Sequence, residues 1–128
     1  MTNQFEIYKC SVCGNIVEVV HASGGTLVCC GQNMNLLVEK TNEEGNEKHL
    51  PVIKRMKSKI KVKIGAKKHP MEENHHIEFV EILVNGKSYK QFLKPNDKPI
   101  AEFKLVLKEN ESLIARCYCN IHGVWKNS

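Results

Sequence analysis

"HIEFVEILVNGKSYKQFL", residues 76–93, decides the fold class. Two runs rich in β-branched and aromatic residues flank Asn85-Gly86. Asn-Gly is a favoured two-residue hairpin turn because both positions accept positive φ. The stretch therefore reads as two antiparallel strands. Downstream, "KPNDKP" (94–99) is a loop, and "AEFKLVL" (101–107) and "SLIARCYC" (112–119) are further strands separated by the polar turn "KENE". Upstream, "MKSKIKVKI" (56–64) alternates with period two. Met56, Ile60, Val62 and Ile64 share one face with Ser58; Lys57, Lys59, Lys61 and Lys63 fill the other. The lysine row can meet phosphates, but a solvated face of a half-buried strand is its ordinary meaning. No aromatic residues interleave it, as single-stranded nucleic acid would require. There is no long helical period and no internal repeat. Several short strands within about 85 residues predict an antiparallel β-sandwich.

The remainder of the chain has a different composition. Of 128 residues, 41% are apolar and 26% charged, which predicts one globular domain or two very small ones rather than disorder. No apolar run approaches the roughly 20 residues that span a bilayer. The opening "MTNQFEIYKC" lacks a basic segment followed by an apolar core, so a cytoplasmic address is expected and no membrane partner. In that compartment six cysteines point to metal binding or redox chemistry rather than disulfides. Residues 1–38 hold one lysine and two glutamates, so residues 39–128 carry +6 of a whole-chain net charge of +5. A basic second half suits a small anionic substrate or an acidic protein partner.

Four cysteines fall in the first 30 residues, as "CSVC" (10–13) and "CC" (29–30). A piece of about 38 residues cannot bury enough apolar surface to fold unaided, and a metal is the usual remedy. "FEIY", "IVEVV" and "MNLLVE" read as short strands around the cysteines, and "KTNEEGNEK" (40–48) as a linker. The expected division is 1–38 and 39–128. Cys10, Cys13, Cys29 and Cys30 supply a tetrahedral four-thiolate set, suited to iron or zinc. Cys29 and Cys30 are adjacent, and consecutive side chains on a regular strand point apart, so this pair requires a bent backbone.

A second constellation closes the chain: "RCYCNIHGVW" (116–125) holds Cys117, Cys119, His122 and the single tryptophan. Five of six histidines lie in the second piece: His49, His69, His75, His76 and His122. Imidazoles with one thiolate are a plausible metal set, but ligands scattered over three segments do not prove it by spacing.

The chain resembles desulfoferrodoxins, two-domain superoxide reductases. The N-terminal desulforedoxin-like module is matched in "YKCSVCGNIVEV" and "LVCCGQNM". The catalytic domain is matched in "EKHLPVI", "HPMEENHHIE", "YKQFLKP" and "CNIHGVWK". The resemblance implies an immunoglobulin-like β-sandwich and two irons per chain, zinc being an alternative at the four-cysteine site. It implies equatorial His49, His69, His75 and His122, an axial Cys119 thiolate and an open sixth position. His75 aligns with the family ligand, and His76 stands where the family commonly has an aromatic residue. Lys48 is implied to steer and hydrogen-bond the oxygen species, and Glu47 to ligate the oxidised iron. Trp125 is expected as a hydrophobic cover. Cys117 departs from the family, which often has an acidic residue there; a free, buried thiol is expected. The implied activity is one-electron reduction of superoxide to hydrogen peroxide, with re-reduction by a donor such as rubredoxin, in a homodimer. The competing readings are an electron-transfer or metal-binding module centred on the four cysteines, a nucleic-acid binder, and, within enzymes, superoxide dismutation.

Overall fold

The Asn85-Gly86 turn forms as its chemistry requires, with φ of +49° and +71° in a computed structural model that describes residues 1–44 and 47–127. The chain divides into two compact units, Met1–Val38 and Glu39–Ser128. No helix occurs among the described residues, and none is long and apolar enough to cross a membrane.

The first unit is built from very short strands. β1 (Ile7–Lys9) pairs antiparallel with β2 (Ile16–Glu18) on one side, while β3 (Val28–Cys29) and β4 (Gln32–Asn33) form a separate hairpin. β5 (Asn35–Leu36) lies antiparallel on the other side of β1. Its buried apolar residues are Ile7, Cys10 and Val19. So small a core leaves cross-linking by a metal as the dominant source of stability.

The second unit has β6 (Pro51–Arg55), β7 (Ile60–Ile64), β8 (Ile77–Val84), β9 (Lys87–Phe92), β10 (Ile100–Phe103), β11 (Ile114–Cys119) and β12 (Gly123–Lys126). They form two antiparallel sheets, ordered β10-β7-β6 and β12-β11-β8-β9. This is the all-β antiparallel sandwich expected from the strand pattern, immunoglobulin-like as the family resemblance implied. Ile60, Val62 and Ile64 of one sheet meet Ile77, Val80, Ile82 and Val84 of the other, with Ala115, Cys117 and Cys119 continuing the core along β11. Arg116 and Tyr118 alternate onto the opposite face. There the buried Arg116 guanidinium pairs with Glu81 directly across the ladder, and Tyr118 stacks on Phe79 at 5.8 Å.

Several local expectations are corrected. The alternating run 56–64 is a strand only from Ile60. Met56–Lys59 is the turn that folds β7 back on β6, closed by the Met56 amide donating to the Lys59 carbonyl at 2.9 Å. Period two persisted through a turn, leaving Met56 exposed and off the core face. Lys59 forms an ion pair with Glu102 at 2.6 Å, so the lysine face is at least partly neutralised by the neighbouring strand. "AEFKLVL" stops pairing at Phe103, where the Leu105 amide turns back to the Phe103 carbonyl at 2.9 Å. β6 and β12 had not been expected as strands.

The linker reading of 40–48 also changes. Lys40 donates to the Val124 carbonyl at 3.0 Å and accepts from the Lys126 amide at 2.9 Å, so the chain is already part of the second unit there. Polar composition had concealed that pairing. Gly45 and Asn46, within the same reading, lie outside the described residues.

Candidate metal centres

In the first unit, Cys10 and Cys13 form a knuckle after β1. The amides of Val12 and Cys13 donate to Cys10 Sγ at 3.4 and 3.5 Å, and the Asn15 amide donates to Cys13 Sγ at 3.4 Å. The Cys13 and Val12 amides favour the Cys10 thiolate and pull that thiol down to about 6. Cys30 and Gly31 are the two turn residues between β3 and β4, with φ of +52° and +75°. The left-handed Cys30 is the bend that lets adjacent side chains converge. Cys13 Sγ lies 3.6 Å from Cys29 Sγ, which lies 3.9 Å from Cys30 Sγ. A tetrahedron with metal–sulfur bonds of about 2.3 Å has edges of about 3.8 Å, so the thiols stand at ligand spacing. None is in a disulfide. Hydrogen bonding to neighbouring thiols, Cys13 foremost, pushes Cys30 up to about 12.

The second centre lies at one end of the sandwich. His49 lies two residues before β6, His69 follows β7, His75 precedes β8, and Cys119 and His122 end β11 and its turn. The four rings form a closed cycle with edge-on neighbours. Centroids are 4.7 Å apart for His49–His69, 4.9 Å for His69–His75, 5.1 Å for His75–His122 and 4.8 Å for His122–His49. His49 Nε2 and His122 Nδ1 face each other at 3.1 Å, and Cys119 Sγ lies 3.7 Å from His122 Nδ1. Donor atoms of His49, His75, Cys119 and His122 all fall within 4.8 Å of one another. His69 Nε2 and His75 Nε2 are buried with no hydrogen-bond partner among the described residues. An orphaned buried nitrogen costs free energy unless something accepts its lone pair, and a cation does so. Burial holds His69 neutral, with its pKa lowered to about 4, and pushes the Cys119 thiol up. Neutral imidazoles with one thiol are a donor set for a borderline transition metal.

The backbone explains why distant segments meet. Gly65, at φ +87°, leaves no room for a Cβ, which would lie 2.4 Å from the Lys48 carbonyl oxygen and 2.3 Å from that of Lys67. The Gly65 amide donates to Leu50 and the Lys67 amide to Glu47, at 3.1 and 3.0 Å, which stitches the His49 segment to the His69 segment. Asn120 joins the other two: its Oδ1 accepts from the His76 amide at 2.9 Å and its Nδ2 donates to the Asn74 carbonyl at 3.1 Å. His76 turns its Nδ1 to the Glu72 carbonyl, 3.1 Å away. Trp125 stacks on His49 at 4.7 Å and donates its Nε1–H to the His122 carbonyl at 3.1 Å, which also accepts Lys40 Nζ at 2.8 Å. The Cys117 thiol donates to the His49 carbonyl at 3.3 Å, and burial raises its pKa. Glu47 is exposed and Lys48 half-buried; neither belongs to the donor cluster.

Family models match both units: "Desulfoferrodoxin, N-terminal domain" over residues 2–37 and "Desulfoferrodoxin" over 41–128. The chain belongs to the desulfoferrodoxin family. A desulfoferrodoxin from Nitratidesulfovibrio vulgaris is 54% identical over 126 residues, covering 98% of both chains. A superoxide reductase from Pyrococcus abyssi is 34% identical over 104 residues, covering 69% of this chain and 90% of its own. The superoxide reductase of Treponema pallidum shares the fold, with a TM-score of 0.78 at 23% identity, over 96% of this chain and 97% of that one. The two donor sets fit the two irons of a desulfoferrodoxin.

Sequence reasoning missed Glu43, Lys40 and Asn120. Glu43 sat within the presumed linker, yet its carboxylate bonds both the ring Nδ1 and the main-chain amide of His49. Burial pushes the Glu43 carboxyl up, but the bonds from His49 outweigh it and hold it below the usual carboxylate range. Only the position of Asn120 between Cys119 and His122 offered a signal.

Proposed function

We propose that this chain is a superoxide reductase, converting superoxide, one electron and two protons into hydrogen peroxide. The observation that carries the reading is the closed cycle of four histidines beside the Cys119 thiol, with two buried ring nitrogens that have no partner among the described residues. Iron held by His49, His69, His75, His122 and Cys119 supplies the single electron. The protein's own groups do the rest. Burial keeps His69 neutral and its lone pair available, and the thiolate offsets cationic charge. Lys48, beside His49 and half-buried, attracts the anion and offers it a hydrogen bond; the net positive charge of the second unit steers it inward. Glu47, exposed two residues before His49, would be the carboxylate available to the oxidised metal, and solvent would supply the protons.

In the same reading, residues 1–38 are a module folded around iron, or zinc, on Cys10, Cys13, Cys29 and Cys30, and residues 39–128 are the catalytic domain. The protein works in the cytoplasm as a homodimer and takes electrons from rubredoxin or a similar small carrier. The family matches over residues 2–37 and 41–128 support the division into two modules.

The test is peroxide yield per superoxide consumed by the iron-loaded protein with excess reductant. One peroxide per superoxide without oxygen evolution is expected. Half that yield with oxygen released would mean dismutation. Cys119→Ser is expected to abolish the activity while sparing the four-cysteine metal; retained activity would move the function to the first centre.

A further inference from the structure

We infer that Glu43 is a positioning residue for the histidine–cysteine centre: it fixes the tautomer and orientation of His49 and places a negative charge behind that one ligand. The inference rests on the iron-site reading above. The Glu43 side chain is 7% exposed and that of His49 10%, so the pair is largely withdrawn from water. One carboxylate oxygen accepts the His49 amide at 2.8 Å, and the other lies against His49 Nδ1. A deprotonated carboxylate only accepts, so Nδ1 carries the proton and Nε2 presents its lone pair. Nε2 is the atom that faces His122 Nδ1 at 3.1 Å, inside the donor cluster.

The ring has little freedom to do otherwise. Trp125 stacks on its face at 17° to its plane, and the Cys117 thiol holds the His49 carbonyl. His69 makes the useful contrast: its Nδ1 meets the neutral Pro70 carbonyl at 2.6 Å. Both partners orient a ring, but only a carboxylate gives the imidazole anionic character and so stronger donation to a metal. Two oxygens engaged by one residue also fix Glu43 to the first residue of the site. Extra negative charge behind a ligand stabilises the ferric more than the ferrous state, because the ferric ion carries one more positive charge.

The experiment uses the full chain, native and as Glu43→Gln, Glu43→Ala and His49→Ala. Iron affinity at the second centre is read by chelator competition. The ferric/ferrous midpoint potential is read by redox titration of the thiolate-to-iron absorption. Glu43→Gln keeps the size and one amide acceptor but loses the charge. Both Glu43 variants are expected to bind iron about 10–100-fold more weakly and to show a higher potential, with the four-cysteine iron unchanged as internal control. A native potential in Glu43→Gln overturns the inference, because a merely structural role is satisfied by the amide. Undiminished second-site iron in His49→Ala would instead overturn the iron-site reading, and this inference with it.

Discussion

At the scale of single residues, the second centre depends on groups that no ligand motif names. Cys117 is the clearest. Its thiol sits in the core on the ligand strand β11, two residues before Cys119, and donates to the His49 carbonyl at 3.3 Å. Cys117→Ser keeps a donor of similar size, and iron occupancy and superoxide reduction should stay nearly unchanged. Cys117→Ala removes the donor and leaves a buried carbonyl short of one bond. It should cost about 1–3 kcal/mol, read as a lower denaturation midpoint. A large loss of iron in the serine variant would show that the sulfur itself tunes the centre. Cys117 and Cys119 alternate onto one face, as period two requires, but a register shift between Tyr118 and Cys119 re-aims the ligand. That irregularity could not be read from the sequence.

At the scale of elements, loops rather than strands bring the ligands together, and Gly65 is the tightest point among them. Any side chain there meets two backbone carbonyl oxygens, in a conformation that L residues rarely adopt. Gly65→Ala should therefore destabilise the second unit by at least about 2 kcal/mol. It should also weaken metal binding there, since the Lys48 carbonyl it displaces lies one residue before His49. Metal titration and chemical denaturation together check both effects. The same lesson applies to the hairpin carrying Cys29 and Cys30. Its bend was legible because adjacent ligands cannot converge from a regular strand, and Cys30 adopts the left-handed conformation that provides it.

At the scale of the whole molecule, two units with unequal cores should respond differently to metal removal. The first has three buried apolar residues, the second a continuous two-sheet core. Chelation under reducing conditions should abolish the order of residues 1–38 while leaving the sandwich's β-signal and a cooperative thermal transition. Loss of both together would mean that the histidine–cysteine metal also holds the sandwich. The +5 net charge gives a second prediction. If long-range steering of the anion contributes, its rate of reaction should fall as ionic strength rises and the Debye length shortens to about 8 Å at 0.15 M. A rate independent of salt would confine the attraction to Lys48 and the centre itself.

Local chemistry was enough to determine the all-β class, the Asn85-Gly86 hairpin and the need of the first 38 residues for a metal. Each follows from neighbours in the chain: a period, a turn dipeptide, a C-x-x-C knuckle in a piece too small to fold alone. The second centre was different. Its histidines could be recognised only by resemblance, because His49, His69, His75 and His122 are far apart in sequence and each is commonplace alone. Tertiary structure decided that their rings form a cycle, that His76 turns to a backbone carbonyl, and that a glutamate from a polar run anchors His49. The reason is physical: spacing along the chain specifies ligands that share one turn or strand, whereas a site assembled from several loops exists only after the sandwich has fixed where those loops end.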